Sequence, residues 1–181
     1  DGTNKIFDLP SVTIMKPVAD FKRNPANASV CEDTNVAFTD LSTNSPTSWS
    51  WDFGDGTTSA VQNPVHTYSS AGTYTVNLTA TNAIGPSLPV TKSITVDALP
   101  VADFNATPTS GVLSLPVQFT DLSTNSPTSW SWDFGDGNTS TAQNPAHTFT
   151  TGTYDIRLTV SNAGGCSNTI LKSGYITVTA V

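Results

Sequence analysis

The clearest pattern along the chain is a period of two. Tyr74, Val76, Leu78 and Ala80 alternate with Thr73, Thr75, Asn77 and Thr79, and Tyr154, Ile156, Leu158 and Val160 repeat the pattern later. Such alternation places one set of side chains on each face of a strand, so each segment reads as half-buried β-structure. Val36, Phe38 and Asp40 alternate with Ala37, Thr39 and Leu41, and Trp49, Trp51 and Phe53 alternate with Ser48, Ser50 and Asp52. Closing strands are predicted at Val90 to Val96 and at Tyr175 to Val178. Turn signals at Asn44-Ser45-Pro46, Gly54-Asp55-Gly56, Asn63-Pro64 and Asn82 to Pro86 separate the strands. That rhythm predicts antiparallel sandwiches of about seven short strands.

A repeat fixes the organisation. Phe38 to Gly56 reads FTDLSTNSPTSWSWDFGDG, and Phe119 to Gly137 reads the same at all 19 positions. The match extends outward, from Val18-Ala19-Asp20-Phe21 and Val101-Ala102-Asp103-Phe104 to Gly72-Thr73-Tyr74 and Gly152-Thr153-Tyr154. The copies lie 83 residues apart at Val18 and Val101, 81 at Phe38 and Phe119, and 80 at Gly72 and Gly152. Small length changes of this kind belong in surface loops. The expected division is 1–16 as a linker or the end of a preceding domain, 17–98 as the first domain and 99–181 as the second. Val12-Thr13-Ile14-Met15 reads as the last strand of that preceding domain, and the linker around Asp97-Ala98-Leu99-Pro100 is very short.

Composition narrows the function classes. Of the 181 residues only 12% are charged, and the formal charge is -7 with a pI near 4.3. Such a surface repels phosphate backbones and anionic lipid, so nucleic acid is not an expected partner. No apolar run approaches the roughly 20 residues that span a bilayer, and the acidic start lacks the features of a signal peptide, so the chain reads as a mature piece of something larger. Sequons at Asn27, Asn77, Asn105 and Asn138 fit a glycosylated exterior protein.

Trp51-Asp52-Phe53-Gly54-Asp55-Gly56, then Asn63-Pro64-Val65-His66-Thr67-Tyr68 and Gly72-Thr73-Tyr74-Thr75-Val76, closely resemble the PKD (polycystic kidney disease) domain family. The second copy carries Trp132 to Gly137, Asn144 to Phe149 and Gly152 to Ile156, with Phe149 in place of the usual tyrosine. The resemblance covers residues 17 to 181. It implies an all-β chain of two tandem Ig-like antiparallel β-sandwiches, of a kind found on archaeal and bacterial cell surfaces, in surface-layer proteins, and as accessory modules of secreted proteases and polysaccharide hydrolases. The STNSPTSWSWDFGDG wording looks most like archaeal surface proteins.

Candidate chemistry is sparse. Asp52, Asp55, Asp133 and Asp136 are explained by their own turns, in which glycines supply positive φ and aspartates accept backbone N–H groups. Some PKD domains of secreted collagenases bind calcium through an acidic loop before the tryptophan strand. Ser42-Thr43-Asn44-Ser45-Pro46 stands there in this chain, so neither a metal nor a cofactor is expected. His66 and His147, one per repeat, read as packed and hydrogen-bonded rather than catalytic, and no nucleophile–His–acid spacing exists. Trp51 and Trp132 read as core. Trp49 and Trp130, nearer the strand end, read as packing residues whose indoles could also stack on a sugar ring or a collagen-like ligand. Cys31 and Cys166 fall at non-equivalent places in the repeat, which predicts two unpaired, shielded thiols.

Two functions follow. One is a non-catalytic extracellular spacer, scaffold or adhesion module of a cell-surface protein, contacting other surface proteins or extracellular polysaccharide. The other is an accessory substrate-binding module of a secreted polysaccharide hydrolase or protease.

Overall fold

A computed structural model describes residues 15–27 and 29–181, so the strand expected at Val12 to Met15 lies almost wholly outside the described residues. The first repeat forms β1 (Phe21–Asn24), β2 (Ser29–Cys31), β3 (Asn35–Asp40), β4 (Ser48–Asp52), β5 (Thr58–Ser59), β6 (Val65–Thr67), β7 (Gly72–Asn82), β8 (Gly85–Pro86) and β9 (Val90–Asp97). The second forms β10 (Phe104–Thr107), β11 (Ser110–Val112), β12 (Ser114–Asp121), β13 (Ser129–Asp133), β14 (Thr139–Ser140), β15 (Ala146–Thr150), β16 (Gly152–Ser161) and β17 (Ser167–Thr179). The two-residue pieces β5, β8 and β14 carry the count above the expected seven.

Each repeat is a two-sheet sandwich. The first pairs the sheet β1-β3-β6 with β2-β9-β7-β4-β5, β8 adding to β7. The second pairs β10-β12-β15 with β11-β17-β16-β13-β14. β1 on β3, β4 on β7, β10 on β12, β12 on β15, β13 on β16 and β16 on β17 are antiparallel, whereas β2 on β9 and β11 on β17 are parallel. These short strands follow β1 and β10 in the chain yet add to the edge of the opposite sheet, so no hairpin dictates their direction.

The predicted alternation sets the core. Val76, Leu78 and Ala80, like Ile156, Leu158 and Val160, are buried while their neighbours are not. Trp51 and Trp132 are fully buried, each with a phenylalanine ring edge-on at 5.1 Å, Phe21 in one repeat and Phe104 in the other. Edge-to-face contact of this kind adds to what burial alone gives. Their indole N–H groups donate to the carbonyls of Val61 and Ala142, at 2.9 Å each, which removes the cost of burying the polar atom. The glycine after each WDF is obligatory: Gly54 (φ +81°) and Gly135 (φ +75°) lie so near β7 and β16 that an added Cβ would sit 2.6 Å from the Thr75 carbonyl oxygen and 2.5 Å from that of Asp155.

The compact units do not coincide with the repeats. One gathers the described residues up to Asn27 with Asn35–His66 and Tyr74–Ile94; the other gathers residues 29–34, Thr67–Thr73 and Thr95–Val181. Within the second unit the expectation of free thiols fails, because Cys31 and Cys166 form a disulfide with a Cα–Cα distance of 5.6 Å. The reason is tertiary. β2 runs beside the end of β9, placing Cys31 opposite Asp97, and Glu32 N–H donates to the Asp97 carbonyl at 3.0 Å. From the other side, Asn162 Nδ2 donates to the Ala98 carbonyl at 2.8 Å, and a Cβ on Gly164 would lie 2.0 Å from Asp97 Oδ2. Cys31 and the loop that carries Cys166 thus meet at Asp97, and the cysteine Cα atoms lie well inside the roughly 7 Å that a disulfide tolerates.

Candidate functional site

Trp49 and Trp130 head two equivalent polar clusters. Both sit two residues before the core tryptophan on β4 and β13, on its face, and both are half-buried; Trp130 packs against the second core. Trp49 Nε1 donates to Asp40 Oδ2 at 2.8 Å, an oxygen that also accepts from Gln62 Nε2 at 3.1 Å. Asp121 receives Trp130 at 2.8 Å and Gln143 at 3.0 Å. The other oxygen of each carboxylate accepts a backbone N–H at 3.0 Å, from Ser42 or Ser123. Partial burial pushes the Asp40 and Asp121 carboxyls up, but the bonds from Ser42 and Gln62, or Ser123 and Gln143, and from the indoles outweigh it and hold both below their ordinary value. With its N–H engaged, each indole has only its π-face and ring edge to offer a ligand.

The histidines form a second duplicated arrangement. His66 stacks on Phe53 at 4.2 Å and 6°, and its Nε2 lies 2.7 Å from Asp55 Oδ2. His147 stacks on Phe134 at 4.3 Å and 5°, with Nε2 2.7 Å from Asp136 Oδ2. Thr57 Oγ1 lies 3.4 Å from His66, but from the same nitrogen that meets Asp55. A nucleophile–base–acid relay needs opposite ring nitrogens, and the second repeat places Asn138 where Thr57 stands. The same aspartates also close their turns: Thr57 N–H donates to Asp55 and Asn138 N–H to Asp136, at 3.0 Å each. Asp52 and Asp133 accept from Gly54 and Gly135. Among the described residues no group of three or more His, Cys, Asp or Glu side chains is arranged to hold a metal ion.

Sequence reasoning missed two further duplicated sets. Asn82 Nδ2 holds the Met15 carbonyl at 2.7 Å while Asn44 Nδ2 holds that of Lys16 at 2.8 Å. In the second copy Asn162 and Asn125 hold the Ala98 and Leu99 carbonyls, at 2.8 Å each. Lys92 bridges Asp20 at 2.7 Å above the Phe21 ring, and Lys172 bridges Asp103 at 2.9 Å above Phe104. These ammonium groups hold Asp20 and Asp103 below the ordinary carboxylate value. The legible signal was positional, since each asparagine and lysine returns at the spacing of its neighbours.

Of the sequon asparagines, Asn27, Asn105 and Asn138 are exposed, whereas Asn77 is half-buried on β7 and its Oδ1 accepts from Thr91 Oγ1 at 2.7 Å.

The PKD domain family profile matches residues 15–98 and again 97–178. The chain belongs to the PKD domain family. Its two PKD copies account for nearly the whole sequence. Over 49 residues it is 43% identical to a microbial collagenase of Vibrio alginolyticus and 47% identical to collagenase ColA of Bacillus cereus. Those stretches are 27% of this chain but only 6% and 5% of the two collagenases. Among solved structures, the PKD1 domain of the Vibrio cholerae metalloprotease PrtV is 32% identical, matching 44% of this chain and 98% of that one with a TM-score of 0.39.

Proposed function

We propose that the chain is a non-catalytic extracellular module, a spacer or adhesion element of a cell-surface protein that contacts other surface proteins or extracellular polysaccharide. One observation carries this reading: the two polar clusters that each described repeat carries are closed on themselves, and in the same way in both copies. Trp49 with Asp40 and His66 with Asp55 recur as Trp130 with Asp121 and His147 with Asp136. Among the described residues no buried side-chain nitrogen or oxygen lacks a partner. Active sites, by contrast, keep polar groups in reserve for a substrate. A disulfide supports the extracellular setting, since such bonds persist outside reducing compartments. Glycans would sit on Asn27, Asn105 and Asn138 before Asn77.

The likeness to two collagenases favours a second reading, an accessory substrate-binding module of a secreted hydrolase or protease, with the free faces of Trp49 and Trp130 as the contact. Retention on insoluble collagen, chitin and cellulose separates the two. The spacer reading expects passage through all three. Retention that the double substitution Trp49→Ala with Trp130→Ala abolishes, in protein that still melts cooperatively, establishes the accessory reading instead.

A further inference from the structure

The Cys31–Cys166 bond joins residues 135 apart in the chain, and the loop it closes holds most of the buried hydrophobic side chains of the two sandwiches. Trp51, Phe38, Leu78, Trp132, Phe119 and Leu158 all lie between the two cysteines in the chain. Outside the loop, the described core contributions are few: Phe21 and Val30 before it, and Ile176 and Val178 after it.

A pull on the two ends of the chain travels along covalent bonds. It enters through the residues before Cys31, crosses the disulfide, and leaves through the residues after Cys166. No residue inside the loop lies on that path. On the exit side the path is β17, 13 residues that are already extended, so tension there has almost no slack to draw out. On the entry side, among the described residues, the bridge of Val18 to Thr43, β1 and the first part of β2 can be peeled away.

We infer that the disulfide is a tension strap, which lets the chain bear load between its ends while the residues between the two cysteines, Trp51, Leu78, Trp132 and Leu158 among them, stay out of the load path. This property goes beyond the spacer and binding readings and uses neither. It suits a link under tension better than sandwiches joined only by hydrogen bonds, because while the bond holds a pull cannot draw out the residues inside the loop.

Single-molecule extension of the full chain, held at its two ends, tests the inference. Only residues 1–30 and 167–181 lie outside the loop, so the oxidised chain should reach no more than about 160 Å at about 3.6 Å per residue. Adding a reductant under load should release about 490 Å more, the contour of the 135 residue-to-residue steps between the two cysteines at the same rise. Cys166→Ser should reach the full length, about 650 Å, without reductant. That reading holds even if the variant folds poorly, since the extended length depends only on which residues the bond encloses. Oxidised wild-type chain that extends as far as Cys166→Ser would overturn the strap.

Discussion

The two repeats share an identical stretch of 19 residues, yet they close their sandwiches differently. Within the shared stretch the indole–aspartate bonds are 2.8 Å in both copies, and the contacts that His66 and His147, further along the chain, make to its aspartates are 2.7 Å in both. After β7 the first chain segment makes only β8, leaves the ladder through Ser87-Leu88-Pro89, and resumes at Val90. After β16 the second runs unbroken from Ser167 to Thr179, paired on both sides of a bulge between Tyr154 and Ile156. Pro86 and Pro89 supply the reason, since proline has no N–H for a ladder and the second copy has none between Ser167 and Thr179. The break is repaired locally: Ser87, buried at 8%, gives its N–H to the Ala80 carbonyl and receives the Ala80 N–H on its hydroxyl. Identical sequence therefore repeats its side-chain network, while an edge is free to diverge if its backbone groups still find partners.

The largest effects should be symmetrical. Trp51→Ala and Trp132→Ala each remove a fully buried indole, at a cost of about 3–5 kcal/mol, comparable with the whole stability of a small domain. Denaturant titration should show equal losses in the two variants, and Trp49→Ala should cost much less than Trp51→Ala. A cheap Trp132→Ala beside a costly Trp51→Ala would end the equivalence of the cores.

Next come Gly54→Ala and Gly135→Ala, which force a Cβ against backbone at positive φ. Each should cost towards the upper end of about 1–3 kcal/mol, read as a lowered melting temperature. Gly56→Ala, where nothing lies within 4 Å of the new Cβ, should cost less than Gly54→Ala.

Ser87→Ala should break the symmetry. It deprives the Ala80 N–H of its acceptor, for about 1 kcal/mol. The loss should be confined to the first repeat, visible in hydrogen exchange as faster opening of β7 with β16 unchanged.

The smallest effect is acid destabilisation. Asp20, Asp40 and Asp55, with their counterparts Asp103, Asp121 and Asp136, all have carboxyl pKa values lowered in the folded state. A lowered folded pKa means stability that is complete above the unfolded value, about 3.9, and is lost as pH falls through the folded one. Solvent screens the exposed Lys92–Asp20 and Lys172–Asp103 pairs, so each makes a modest contribution. Melting followed from pH 6 to pH 2 should fall in both repeats over one window below about pH 4. Separate windows would show that the duplicated aspartates are not equivalent.

The sequence by itself determined the alternating strands, the core tryptophans and the glycine–aspartate turns, because alternation, glycine and aspartate act within a few residues of one another, whereas it did not show β2 and β11 and showed only the Tyr175 to Val178 part of β17. Trp51 and Trp132 were legible as core from their place in that alternation, and the Asp55 and Asp136 turn bonds from their spacing to the glycines. Trp49 and Trp130 were placed on the right face, but their bonds to Asp40 and Asp121 join β4 to β3 and β13 to β12, which no local pattern reveals. The disulfide was beyond reach for the same reason, more strongly. Cys31 and Cys166 occupy different positions in the repeat, and only the tertiary structure brings β2 and the loop before β17 to the same residue, Asp97. A contact between parts 135 residues apart is set by how sheets add strands at their edges, and that is decided by packing rather than by any local period.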